Sequence, residues 1–118
     1  MTTMGVKQLQ KVKEWVAENN SHNPDMKVFL DVREGMLLSI HVVFYRLRKQ
    51  IDEKTEDEVY KAIKILSHQK LFPEKTGNLK NGILRINANY IHQRCVANDT
   101  IRALNYIRDD MPRIINGK

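Results

Sequence analysis

Thr55-Glu56-Asp57-Glu58-Val59-Tyr60-Lys61-Ala62-Ile63-Lys64-Ile65-Leu66 leads through Lys70-Leu71-Phe72 and a polar tip into Ile83-Leu84-Arg85-Ile86-Asn87-Ala88-Asn89-Tyr90-Ile91. Thr55 with Glu58 three residues later is a capping-box pattern, in which each side chain reaches a backbone N–H that the first helical turn leaves unpaired. Val59, Ala62, Ile63 and Leu66 then recur at helical spacing, which predicts an amphipathic helix over Glu56–Gln69. Leu71 to Ile91 reads as a hairpin. Its tip, Glu74 to Gly82, carries glycines and asparagines that accept positive φ.

Working outward, Val6, Leu9, Val12, Trp15 and Val16 predict an amphipathic helix over Val6–Asn19. The cluster Asn19-Asn20-Ser21-His22-Asn23-Pro24-Asp25 stops it, because proline disfavours helical geometry at the residue before it. Met26 to Val32 carries β-branched and aromatic residues and predicts a short strand. Met36, Ile40, Val43, Phe44, Leu47 and Ile51 fall on one helical face, predicting a continuous helix over Met36–Ile51. A last helix is expected over roughly Val96–Asp110, within residues 95–111, with Ile101, Leu104 and Ile107 or Arg108 on its face and Pro112 past its end. The predicted order is helix, short strand, helix, helix and a two-stranded wing, with a C-terminal helix appended. That is an α+β, mostly helical, winged helix-turn-helix.

With 118 residues the chain suits a single domain with one modest core, residues 1–118. Hydrophobic residues at 42% and charged residues at 29% argue against disorder throughout. The formal net charge of +6 favours a phosphate-bearing partner through counterion release. Cys95 is the only cysteine, so an internal disulfide and a cysteine-rich zinc site are excluded and a reducing, cytoplasmic setting is expected. No apolar run approaches the roughly 20 residues that span a bilayer, and the N-terminus lacks a signal-peptide pattern, so no membrane association is expected.

In a winged helix, one helix turns its polar face to the major groove while the hairpin reaches the backbone. This places Tyr60, Lys61, Lys64, Ser67 and His68 on the recognition helix, and Lys75, Lys80 and Arg85 on the wing as phosphate contacts. Residues 55–91 resemble the winged-helix domains of plasmid and phage replication and maintenance proteins. In that family a helix of the form V-x-x-A-I-K-x-L precedes a hairpin ending in a segment like R-I-N-P-N-Y, where Ala88 here takes the place of proline. The resemblance implies sequence-specific binding of double-stranded DNA of a mobile element, in replication initiation or transcriptional regulation. It puts Lys61 and Lys64 on the reading helix, and Asn87 and Asn89 at the close of the wing.

Glu56-Asp57-Glu58 puts carboxylates where such a helix enters the groove; they suit the helix dipole, and one could also accept from a cytosine amino group. A rival reader is Leu38 to Lys49, which resembles the second helix of a plain helix-turn-helix of form S-x-x-x-V-x-x-R-L. Ser39, His41 and Tyr45 would then face bases, and Arg46, Arg48 and Lys49 phosphates.

The four histidines share no ligand spacing with cysteines or carboxylates, so no metal or cofactor is expected. Cys95 lacks an identifiable base, and no phosphate-cradling loop, H-E-x-x-H or G-x-S-x-G occurs, so an enzyme is not expected. The C-terminal helix either forms a homodimer surface or packs back on its own domain. The alternative function is a small interaction module that docks a replication or transcription protein.

Overall fold

The computed structural model describes residues 6–46, 51–75, 78–88 and 97–115. Helix α1 (Val6–His22) buries Leu9, Val12 and Val16 on one side and turns Lys7, Lys11 and Lys13 to solvent. Strand β1 (Met26–Arg33) follows Pro24. Glu34 and Gly35 both take positive φ, 52° and 77°, which matches the twist of a two-residue hairpin turn. Strand β2 (Met36–Phe44) then returns antiparallel, with Met26 opposite Phe44 and Phe29 opposite His41. A bulge sets Leu38 as the extra residue between the Asp31–Ser39 and Val32–Leu37 pairs.

Strand β2 corrects the sequence reading. The helix predicted over Met36–Ile51, and with it the rival reader beginning near Ser39, is a strand over Met36–Phe44. Its apolar residues satisfy helical spacing by coincidence, but Ile40, Val42 and Val43 are β-branched, lose side-chain freedom in a helix and fit a pleated surface. Ile40, Val42 and Phe44 alternate to bury one face, while strands on both sides supply the hydrogen bonds a helix would have made internally. With that helix gone, no helix-turn-helix pair forms ahead of the hairpin among the described residues. The observed order, helix, strand, strand, helix, strand, strand, helix, differs from that of a winged helix.

Helix α2 (Glu53–Leu66) starts before the expected capping box. Asp52 is the cap, accepting the Thr55 N–H at 2.7 Å, and that bond holds its carboxyl below the usual range. The expected hairpin is present, with strands β3 (Leu71–Pro73) and β4 (Ile83–Ala88) flanking a 3-10 turn at Asn78–Asn81. The sheet is wholly antiparallel, in the order β1-β2-β4-β3. Helix α3 (Ala97–Asn105) continues through a π turn (Tyr106–Asp110) into α4 (Met111–Ile115). Pro112 thus lies inside this helical stretch rather than past its end. The Met111 N–H reaches back to the Tyr106 carbonyl, and Arg113 Nε donates to the Asp109 carbonyl at 3.0 Å.

All the helices lie on one face of the sheet and share one core with it. α1 and α3 run parallel: the Ala97 N–H donates to Gln8 Oε1 at 2.7 Å, and Trp15 Nε1 donates to Asn105 Oδ1 at 2.9 Å. Ile40, Val42, Leu84 and Ile86 from the sheet and Ile63, Leu104 and Ile107 from the helices are sealed from solvent, each burial worth about 1.5–3 kcal/mol. The C-terminal helix therefore spends Ala103, Leu104 and Ile107 on the chain's own core. No helix among the described residues is long and apolar enough to cross a membrane.

Strand β1 is an edge strand, and α1 shields half of it. The Asn20 amide donates to the Val28 carbonyl at 2.8 Å and accepts the Val28 N–H at 2.9 Å, imitating a neighbouring strand. Asn19 reaches the Met26 carbonyl, and Asn23 accepts the Met26 N–H. The asparagines that end α1 thus cover backbone groups that would otherwise invite another strand.

Candidate nucleic-acid interface

The residues expected on a recognition helix separate in space. Tyr60 points into the core, where burial and then the adjacent Glu56 carboxylate push its phenol up to about 12. Ser67 is fully buried, donating to the Lys64 carbonyl and accepting the Leu71 N–H. Neither can face a groove. His68, with positive φ, sets Nδ1 2.7 Å from Asp99 Oδ1, and Arg102 donates to the Leu66 carbonyl at 3.3 Å. That cluster ties the end of α2 to the start of α3. Lys61 is exposed, but the surface it shares carries Asp52, Glu53, Asp57 and Glu58 against Lys54 and Lys61. Lys75 is held by Asp57 at 2.7 Å, which raises its pKa. The exposed side of α2 is therefore not the electropositive surface its sequence suggested. Arg48, Lys49 and the Lys80 side chain lie outside the described residues.

The sheet's other face is covered by no described element. Strand alternation sends Lys27, Phe29 and Asp31 of β1, Ser39, His41 and Val43 of β2, Ile83, Arg85 and Asn87 of β4, and Phe72 of β3 to that side. Phe29 lies opposite His41, and His41 opposite Arg85, so a phenyl ring, an imidazole and a guanidinium occupy one cross-strand row. Opposed side chains in such a row start roughly 5 Å apart. Phe29 is 51% exposed and Ile83 42% exposed, large values for apolar side chains of a sheet.

Charge on this face is adjustable. Glu74 orders the β3 edge by accepting from Asn87 Nδ2 at 2.7 Å and lying 3.4 Å from Arg85 Nε. Arg46 lies 3.5 Å from Asp25, and Arg33 3.7 Å from Asp31, in solvent-exposed pairs. Pairs of this kind are worth about 0–1 kcal/mol, so a phosphate can replace the carboxylate at little cost. Lys64 reaches over the Phe72 ring at 5.7 Å, and the Lys27 ammonium donates to the Asn20 carbonyl.

Of the residues assigned from sequence, the structure brings His41 and Arg85 together, with Tyr45 and Arg46 just beyond the end of β2 and Ser39 buried two positions away. Sequence reasoning missed Lys27, Phe29 and Phe72. The alternation Lys27-Val28-Phe29-Leu30-Asp31 was the available signal for the first two, since it separates a polar-aromatic side from an aliphatic one. The hydroxyl of Ser39 is sealed without a hydrogen-bond partner among the described residues.

A second concavity, an open cleft of about 400 Å³, lies between α1 and the π turn. Arg108 fills its wall, stacking over Trp15 at 5.2 Å while pairing with Asp109 at 2.7 Å. Among the described residues no three histidine, cysteine, aspartate or glutamate side chains gather where they could hold a metal ion. No family model, characterised protein or solved structure matches this chain.

Proposed function

We propose that this protein is a non-enzymatic nucleic-acid-binding module whose contact surface is the open face of the sheet rather than helix α2. The observation that carries this reading is the cross-strand row Phe29–His41–Arg85, with Lys27 in the adjoining row, on a chain of net charge +6. Aromatic and cationic side chains interleaved on a sheet face that no described element covers offer stacking and phosphate contact at once. The likeness of residues 55–91 to mobile-element initiator and maintenance domains suggests DNA, handled during replication or its transcriptional control, as the target. A winged-helix use of α2 on double-stranded DNA is the finer version of that idea, and the carboxylates around Lys54 and Lys61 count against it.

The test is a salt titration of binding to one mixed-sequence DNA, offered as duplex and as single strand, with two double variants. Lys27→Glu/Arg85→Glu should weaken binding at least tenfold, whereas Lys54→Glu/Lys61→Glu, on the exposed side of α2, should change it less than about threefold. The reading falls if neither form of DNA binds at low salt, or if only the α2 variant loses binding.

A protein partner is the second reading, favoured by the apolar side chains Phe29, Val43 and Ile83 on the same face. A stoichiometric protein complex that DNA does not displace would select it.

A further inference from the structure

We infer that the ligand of the open sheet face is single-stranded DNA, with two or three unpaired bases stacked on the row Phe29–His41–Arg85. This rests on the nucleic-acid reading above and adds to it which form of DNA is bound, and how.

Three features carry the inference. The first is planarity: phenyl, imidazole and guanidinium are the side chains whose flat faces accept a base, and register places all three in one line over adjacent strands β1, β2 and β4. The second is spacing. Strands lie about 4.8 Å apart, so the row spans about 10 Å, a length that a strand with splayed bases covers with two or three nucleotides. In a duplex those base faces are stacked on one another and cannot reach a protein ring. The third is the neighbourhood. Val43 and Ile83, opposite one another in the adjoining row, are apolar, offer nothing to a 2′-hydroxyl and suit deoxyribose and the thymine methyl group. Lys27, in register with Val43 at the β1 end of that row, keeps a positive charge at the sheet edge, where its ammonium donates to the Asn20 carbonyl.

The face gives the strand no carboxylate it cannot accommodate. Glu74 is engaged with Arg85 and Asn87, and Asp31 lies beside Arg33. A phosphate arriving at Arg85 replaces the half-buried Glu74 carboxylate, which keeps its hydrogen bond from Asn87, while the guanidinium plane remains available for stacking.

The experiment uses the full chain and fluorescence anisotropy at fixed salt with four labelled probes: oligo(dT), an abasic strand of equal length, oligo(U) and a duplex. Oligo(dT) should bind at least tenfold tighter than the abasic strand, the duplex and oligo(U). Phe29→Ala should weaken oligo(dT) binding by about 5- to 150-fold, the range for one lost base–aromatic stack, and leave abasic binding unchanged. His41→Ala should behave alike, and His41→Tyr should restore binding. Phe29→Leu keeps the apolar bulk without the ring, so it separates stacking from any folding defect in Phe29→Ala and should also lose affinity. Equal affinity for oligo(dT) and the abasic strand overturns stacking while leaving the nucleic-acid reading intact. Tighter binding of duplex overturns the single-strand assignment, and tighter binding of oligo(U) overturns the choice of DNA. Failure of every probe to bind overturns the nucleic-acid reading itself.

Discussion

The two faces of one sheet are built from the same strands and do opposite things. On the covered face, Ile40, Val42, Leu84 and Ile86 are almost wholly removed from water beneath three helices. One residue away along each strand, His41, Val43, Arg85 and Asn87 remain within reach of solvent, with Phe29 beside them. The covered face needs shape and apolar volume alone, which explains why it holds only aliphatic and small aromatic-free side chains at its centre. The open face mixes a ring, an imidazole, a guanidinium and an ammonium, groups that contribute no buried apolar volume at these positions. Side chains that a fold does not need are where function is to be sought.

The contrast is broken most severely on the covered side. Ile86→Ala should cost about 3–4 kcal/mol, since a fully buried isoleucine at the centre of the sheet leaves a cavity that strands on both sides keep from collapsing. Denaturant unfolding measures this directly. A loss below about 1 kcal/mol would mean that the core is looser than its burial indicates.

Alkaline pH should act on the same side. Tyr60 ionises at about 12 when folded and near 10.0 when unfolded, so between those values the unfolded chain has released a proton that the folded chain retains. Tyr60 thus contributes fully below pH 10, and its contribution is lost as pH rises towards 12, by up to about tenfold in the folding equilibrium per pH unit. Tyr60→Phe should flatten that part of the stability profile. An equally steep decline in the variant would place the alkaline sensitivity elsewhere.

Asn20→Ala sharpens the comparison at the sheet's edge. It removes both hydrogen bonds to Val28 and should cost about 1–2 kcal/mol, while opening the β1 edge to pairing with another copy. Sedimentation should then show stronger concentration-dependent association than the parent chain shows. A variant of unchanged association and unchanged stability would refute the role of Asn20 as a strand mimic.

The smallest effect belongs to Ser39, which strand alternation puts on the same side of β2 as His41 but which is buried. Ser39→Ala deletes a buried hydroxyl with no described partner, so stability should rise by up to about 1 kcal/mol in the same unfolding assay. A loss of that size would reveal a hydrogen bond that the described residues do not supply.

Much of this architecture was legible from local pattern. The stripe Leu9, Val12, Val16 predicted α1, the stripe Val59, Ile63 predicted α2, and the glycine-asparagine tip predicted the β3–β4 hairpin. β2 was not, because a central strand with apolar residues on both faces reads as a continuous run, and Met36, Ile40 and Val43 also meet helical spacing. Glu34-Gly35 was the local clue to a hairpin instead. The misreading carried the site with it. His41 and Arg85 were both singled out, but on different elements, and only strand register, set by residues far apart in sequence, makes them neighbours. Phe29 had no local mark beyond its place in an alternating segment.

If the open sheet face, and not α2, meets nucleic acid, residues along β1, β2 and β4 must respond to it. The most direct measurement is a titration of the isotopically labelled protein with single-stranded DNA, followed by amide chemical shifts. Saturable shifts are expected at Lys27, Phe29, His41, Val43 and Arg85, with Lys54, Asp57 and Lys61 unmoved. Shifts concentrated on residues 54–64, with β1 and β2 unmoved, would contradict it.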